Sequence, residues 1–271
     1  MCVKTFFKKA LILFFIAAAA SAIAQESKST FYFKNAGFEN DYYKIYIEEA
    51  VNKLEYAKFK ILIINKTSDY LIYKPSEVIF SINGQKLTSD DRQFTIAPHE
   101  EAWKIINTKG KGLLESKYEI IIQNLYKVSL STAKVVEVDN LYIPTTMKSF
   151  TVENFQCNIQ RLDIKKKKSR LKFVCVYKGD GIGIVETFKC IALLPKGYKS
   201  PNTWSRTFLF EKDKWDEFIV DINEVSGGGN MEKESFTIVW NDTFKESKIE
   251  PIKGGTIKME LDQAKTSERN Q

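Results

Sequence analysis

Along most of the chain, apolar and polar residues alternate with a period of two, in short runs rich in Ile, Val, Tyr and Phe. The clearest are Lys58-Phe59-Lys60-Ile61-Leu62-Ile63, Tyr118-Glu119-Ile120-Ile121-Ile122, Leu171-Lys172-Phe173-Val174-Cys175-Val176-Tyr177 and Phe236-Thr237-Ile238-Val239-Trp240. This period sends every second side chain to the same face of an extended strand, and β-branched and aromatic residues suit a pleated, half-buried surface. Asn83-Gly84, Gly179-Asp180-Gly181 and Ser226-Gly227-Gly228-Gly229-Asn230 fall between the runs as turns. In the stretch from Asp41 to Val51, Glu48, Glu49 and Ala50 favour a helix, whereas Tyr42, Tyr43, Ile45, Tyr46 and Ile47 favour a strand. It is read as a strand, and the chain as all-β.

The pattern also repeats. Phe59 to Tyr73 can be set against Leu171 to Val185, so that Lys60, Lys66 and Ile72 recur as Lys172, Lys178 and Ile184. Tyr118 to Ser129 can be set against Phe236 to Ser247, where the aromatics, Lys127/Lys245 and Ser129/Ser247 correspond. The two matches occur in the same order, which points to a duplication. Each half then has the size and strand content of an immunoglobulin-like sandwich. The expected organisation is two tandem β-sandwich domains, 25–146 and 147–262, meeting near Pro144-Thr145-Thr146-Met147, with 263–271 as a loose tail. The inward set should contain Phe59, Ile61, Ile63, Tyr118, Ile120 and Ile122, with Phe173, Phe236, Ile238 and Trp240 in the second half.

The amino terminus departs from this pattern. Lys4, Lys8 and Lys9 precede an apolar run from Ala10 to Ala20, followed by Ala22-Ile23-Ala24. That order is read as a cleavable signal peptide over 1–24, with the mature chain starting at Gln25. The run is about 11 residues, short of the roughly 20 that cross a bilayer, so no integral membrane segment is expected in the mature chain. Export to the periplasm or the extracellular space follows. Without the leader the formal charge of +7 falls to about +4, too mild a bias to imply nucleic acid.

The leader, the two Ile/Val/Tyr-rich repeats, the connection Ile96-Ala97-Pro98-His99-Glu100 and the ending Ile257-Lys258-Met259-Glu260-Leu261-Asp262 together resemble exported proteins of Bacteroidota-type bacteria that carry tandem immunoglobulin-like domains. The resemblance implies a location and a fold and leaves the activity open.

Candidate chemistry is sparse. One histidine, His99, cannot supply a two- or three-His metal site, and the cysteines lack C-x-x-C spacing. No phosphate-binding glycine loop or G-x-S-x-G elbow occurs, and no metal or cofactor is expected. His99 is read as an exposed loop residue beside Pro98. Cys157, Cys175 and Cys190 take the places of hydrophobes in the repeat and are read as core residues, the alternative being a Cys157–Cys175 disulfide across strands that fold about Lys165 to Lys168.

Asp90-Asp91 and Glu100-Glu101 are read as solvated loop acids, although paired carboxylates could perform glycoside hydrolysis without leaving a sequence signature. The binding candidates are Tyr198 and Trp204, in the loop Lys196 to Trp204, with Trp204 alternatively folding over the core edge. The expectation is a non-catalytic binding or scaffold protein whose partner is an envelope protein or a glycan. The alternative is a carboxylate-based glycan hydrolase.

Overall fold

The structure is a computed structural model that describes residues 29–271; the expected leader lies outside the described residues. In chain order the strands are β1 (Phe31–Tyr32), β2 (Ala36–Glu39), β3 (Tyr43–Asn52), β4 (Tyr56–Asn65), β5 (Tyr70–Tyr73), β6 (Val78–Ile82), β7 (Gln85–Leu87), β8 (Phe94–Ile96), β9 (Glu101–Lys109), β10 (Lys117–Ile122), β11 (Asn124–Val128), β12 (Lys134–Val136) and β13 (Leu141–Ile143). They continue as β14 (Ser149–Val152), β15 (Phe155–Ile164), β16 (Lys168–Tyr177), β17 (Ile182–Glu186), β18 (Ile191–Leu193), β19 (Lys199–Pro201), β20 (Thr207–Phe210), β21 (Trp215–Asn223), β22 (Phe236–Val239), β23 (Phe244–Ser247), β24 (Ile249–Lys253) and β25 (Thr256–Glu260). One α-helix, α1 (Gln263–Arg269), follows. The all-β reading holds, and Asp41 to Val51 falls almost wholly within β3.

The described chain forms two compact units, one running to Lys127 and including Pro251–Gln271, the other spanning Val128–Glu250. The division is therefore not at 146/147. β25 pairs along β10, Tyr118 facing Met259 and Ile120 facing Ile257, which returns the end of the chain to the first unit. β12 and β13 pair with β23 and β22, which places residues before Met147 in the second unit. Like strands compete for like partners, and alternation alone does not choose between them.

The first unit has sheets ordered β1-β3-β4-β9 (with β2 on β3), β25-β10-β6-β7 and β24-β11-β5-β8. The second has β14-β15-β16-β21, β13-β22-β18-β19 and β12-β23-β17-β20. Each has its own core. The first is mostly aliphatic, with Ile45, Ile47, Ile61, Ile63, Ile120 and Ile122 around Phe59 and Phe80. The second is aromatic, with Phe155, Phe173, Phe218, Trp240 and Phe244 in mutual ring contact. All ten residues expected to face inward are buried.

The segment 263–271 is not loose. Asp262 caps α1 by accepting the Lys265 backbone N–H at 3.0 Å. Thr266 accepts the Tyr32 N–H at 3.0 Å, and the Asn270 amide bonds both backbone groups of Thr30. Thr266 and Asn270 thus hold the segment against the start of the first unit.

Cys157 and Cys175 are cross-strand partners in β15 and β16, with Cα atoms 4.1 Å apart, and form a disulfide. Both are also buried, so the core position and the bridge coincide. The third cysteine, Cys190, is a buried free thiol whose pKa burial pushes up.

Candidate functional site

The residues singled out in the sequence do not converge. Tyr198 is exposed at one end of β19, its ring against Gly227, while Trp204 follows the other end beneath the Arg206 guanidinium, 5.1 Å from its ring centroid. The Trp204 carbonyl accepts from Thr187 Oγ1 at 2.6 Å, and its indole N–H is buried with no acceptor among the described residues. His99 is exposed, at φ 56°, with Nε2 3.2 Å from Ser68 Oγ. Asp91 accepts from Ser89 Oγ and from the Asn107 N–H, which ties its loop to β9. Glu100 and Glu101 are exposed.

The buried carboxylates are compensated. Glu186 lies 2.7 Å from Lys245 and 3.0 Å from Lys189, and Asp221 lies 2.7 Å from Arg170 and 3.0 Å from Lys168. These pairs are structural.

A different set of residues does converge, on the outward face of the sheet containing β3, β4 and β9. Strand register fixes it. Tyr46 of β3 faces Leu62 of β4, and Leu62 faces Trp103 of β9. Ile61, Ile63 and Ile106 point into the core, so the neighbouring positions Leu62, Trp103 and Ile105 point out. Trp103 is 62% exposed and Ile105 40%. With adjacent strands about 4.8 Å apart, the Tyr46–Leu62–Trp103 row spans about 10 Å.

The charges beside this row are paired. Lys60 Nζ lies 5.4 Å from the Trp103 ring centroid and 3.3 Å from Glu48. Lys44 Nζ lies 4.7 Å from the Tyr46 ring centroid and 3.5 Å from Glu39.

In the second unit the equivalent row is polar, and the exposed tryptophan of that face, Trp215 of β21, sits one pair along, opposite Val176. Leu62 is the seventh residue of ten-residue β4, and Val174 is the seventh of ten-residue β16. Val174 faces Asn158 on one side and Glu217 on the other, and Glu217 is paired with Lys172 at 2.6 Å. The topology therefore tolerates Asn–Val–Glu where the first unit places Tyr–Leu–Trp. Packing does not demand the aromatic row.

The second unit also has a cleft of about 770 Å³. Glu246 lies in its wall and accepts from Asn154 Nδ2 at 2.7 Å and from the Tyr177 hydroxyl. Burial, reinforced by the charges of Glu246 and Asp180, pushes the Tyr177 hydroxyl up to about 12. Of the other two acids that line the cleft, Asp180 and Glu250, Asp180 accepts from Lys212 Nζ at 2.6 Å and is held below the usual carboxylate range by it. A general acid for glycoside cleavage needs the opposite shift.

No family model and no curated protein matches the sequence. Among solved structures, "pT26-6p" is similar at 7% identity over 90% of this chain and 67% of that one, with a TM-score of 0.22. Red sea bream transglutaminase is similar at 5% identity over 79% and 31%, TM-score 0.18. A β-porphyranase of glycoside hydrolase family 86 from Bacteroides plebeius is similar at 9% identity over 83% and 37%, TM-score 0.15. Scores this low assign neither a fold nor an activity.

Among the described residues, no helix is long and apolar enough to cross a membrane, and no cluster of His, Cys, Asp and Glu could hold a metal ion.

The sequence reading missed Trp103. The signal was the phase of Ala102-Trp103-Lys104-Ile105-Ile106, which depends on which of two adjacent isoleucines is buried. Ile106 is the buried one, and that choice turns Trp103 outward.

Proposed function

We propose that this chain is a non-catalytic exported binding protein built of two immunoglobulin-like sandwiches, and that it takes a glycan chain on the Tyr46–Leu62–Trp103 row. The observation that carries this reading is the contrast between the units, since the same position in the same topology is polar in one and aromatic in the other. A flat, solvent-facing aromatic row offers its rings to the C–H face of a sugar. Lys44, Lys60, Glu39 and Glu48 flank it as compensated pairs, which suits a neutral polyhydroxyl ligand better than a charged polymer. The amino-terminal leader pattern and the Cys157–Cys175 bridge support an oxidising compartment outside the cytoplasm.

The test is capture of the mature chain on a glycan array, with Trp103→Ala and Tyr46→Ala beside it. Because both side chains lie on the outward face, the variants should keep the parent's melting temperature while losing at least about tenfold in affinity. Capture unchanged by Trp103→Ala overturns the assignment. Selective capture of an envelope protein in place of glycans would retain the surface and replace the ligand.

The cleft supports the second reading, a carboxylate-based hydrolase, because Asn154 and Tyr177 orient Glu246 there. Release of reducing ends from a captured glycan, abolished by Glu246→Gln, would establish it over the first.

A further inference from the structure

The six sheets fall into three matched pairs. β3-β4-β9 corresponds to β15-β16-β21, β10-β6-β7 to β22-β18-β19, and β11-β5-β8 to β23-β17-β20. In each pair the strands follow one another in the same chain order, so the two copies are the first and second halves of the chain. Two strands in each half break the rule. β12 and β13 follow β11 in the first half but pair with β23 and β22. β24 and β25 follow β23 in the second half but pair with β11 and β10.

The guests occupy equivalent slots in equivalent register. In the first unit Tyr118 and Ile120 face Met259 and Ile257. In the second, Phe236 and Ile238 face Ile143 and Leu141. In both, alternate guest residues are buried: Ile257 and Met259 on one side, Leu141 and Ile143 on the other. Each slot could therefore accept the other guest with little change of volume, and the same two hydrophobic positions would be filled.

We infer that the chain is a duplication whose halves have reciprocally traded their last two strands, so that neither half is a folding unit and a break between them does not part them. Each half donates two strands to the other's sheets and receives two in return. The stretch from Pro144 to Lys148, between β13 and β14, is the single covalent passage between the halves and is largely exposed. In an unexchanged tandem protein, cutting there would leave two complete domains. Here each fragment would hold the other's missing strands, and separation would require stripping paired strands from two hydrophobic cores.

The topology makes a specific cross-linking prediction. Glu119 and Lys258 are cross-strand partners, as are Tyr142 and Thr237. The unexchanged arrangement would instead oppose Glu119 to Tyr142. Directly opposed residues of an antiparallel pair have Cα atoms about 4.5–5.5 Å apart, within reach of a disulfide. A specific protease site is inserted between Thr146 and Met147 of the mature full chain, which is then cut.

The Glu119→Cys/Lys258→Cys variant, mildly oxidised and cleaved, should run at full-length mass on a denaturing non-reducing gel and fall into two fragments only on reduction. Without added cysteines, the cleaved chain should elute from native gel filtration as one species at the uncut volume. Release of two fragments from the oxidised variant, with bond formation in Glu119→Cys/Tyr142→Cys instead, would overturn the inference, as would separation of the cut chain in native buffer. The three substituted positions, Glu119, Lys258 and Tyr142, face away from the cores, and circular dichroism of each uncut variant checks that the fold is retained.

Discussion

Tyr73 and Tyr118 bury their hydroxyls with no hydrogen-bond partner among the described residues, and burial pushes both well above the ordinary phenol value. Tyr177 is pushed up to about 12 by burial and by the nearby carboxylates. A phenol whose folded-state pKa exceeds its unfolded value of about 10 contributes stability that is complete below pH 10 and is lost as pH climbs through the folded value. Denaturation midpoints measured at successive pH values should accordingly fall between about pH 10 and 12, and Tyr118→Phe should reduce the fall. In a jump to pH 12 the phenolate absorbance of Tyr73 and Tyr118 should rise only as fast as the protein unfolds. Prompt ionisation of every tyrosine would contradict their burial.

Among the strands, the inward residues were legible because period-two alternation reports which side chains share a face, and each of the ten named from sequence is buried. The partner of each strand was not. Leu141-Tyr142-Ile143 and Ile257-Lys258-Met259 present the same apolar–exposed–apolar pattern, so either could fill either slot, and the boundary drawn at 146/147 assumed the shorter path. Trp103 was hidden by a related ambiguity, two adjacent isoleucines that leave the phase of β9 open. The turn after β24 shows how tightly a donated element is fitted. At Gly254 an added Cβ would clash with the Ile122 carbonyl oxygen of β10, and the Gly254 N–H bonds the Gln123 carbonyl at 2.9 Å. Gly254→Ala should cost about 2–3 kcal/mol in chemical denaturation, whereas Gly84→Ala, where an added Cβ meets nothing within 4 Å, should cost less than half of that through its positive φ alone.

For the molecule as a whole, the strand exchange inferred above predicts that the two units, each with its own core, melt together. The Cys157–Cys175 bridge lies wholly in the second unit and closes a loop of 18 residues. Its removal in Cys157→Ser/Cys175→Ser should destabilise the chain by about 3 kcal/mol. Because β12–β13 and β24–β25 are each held by the opposite half, one cooperative transition should move down intact. Two transitions, with only one displaced, would show that the units melt independently.

The position of β25 near the end of the chain also sets an order of events. A polypeptide delivered amino end first, whether from a ribosome or through a translocation pore, presents β10 long before the strand that pairs along its edge. The first unit cannot close until β25 has arrived, and the edge of β10 stays open until then. If the chain is exported as proposed, that delay is an advantage, because the first unit becomes complete only once β24 and β25 have followed the second unit across.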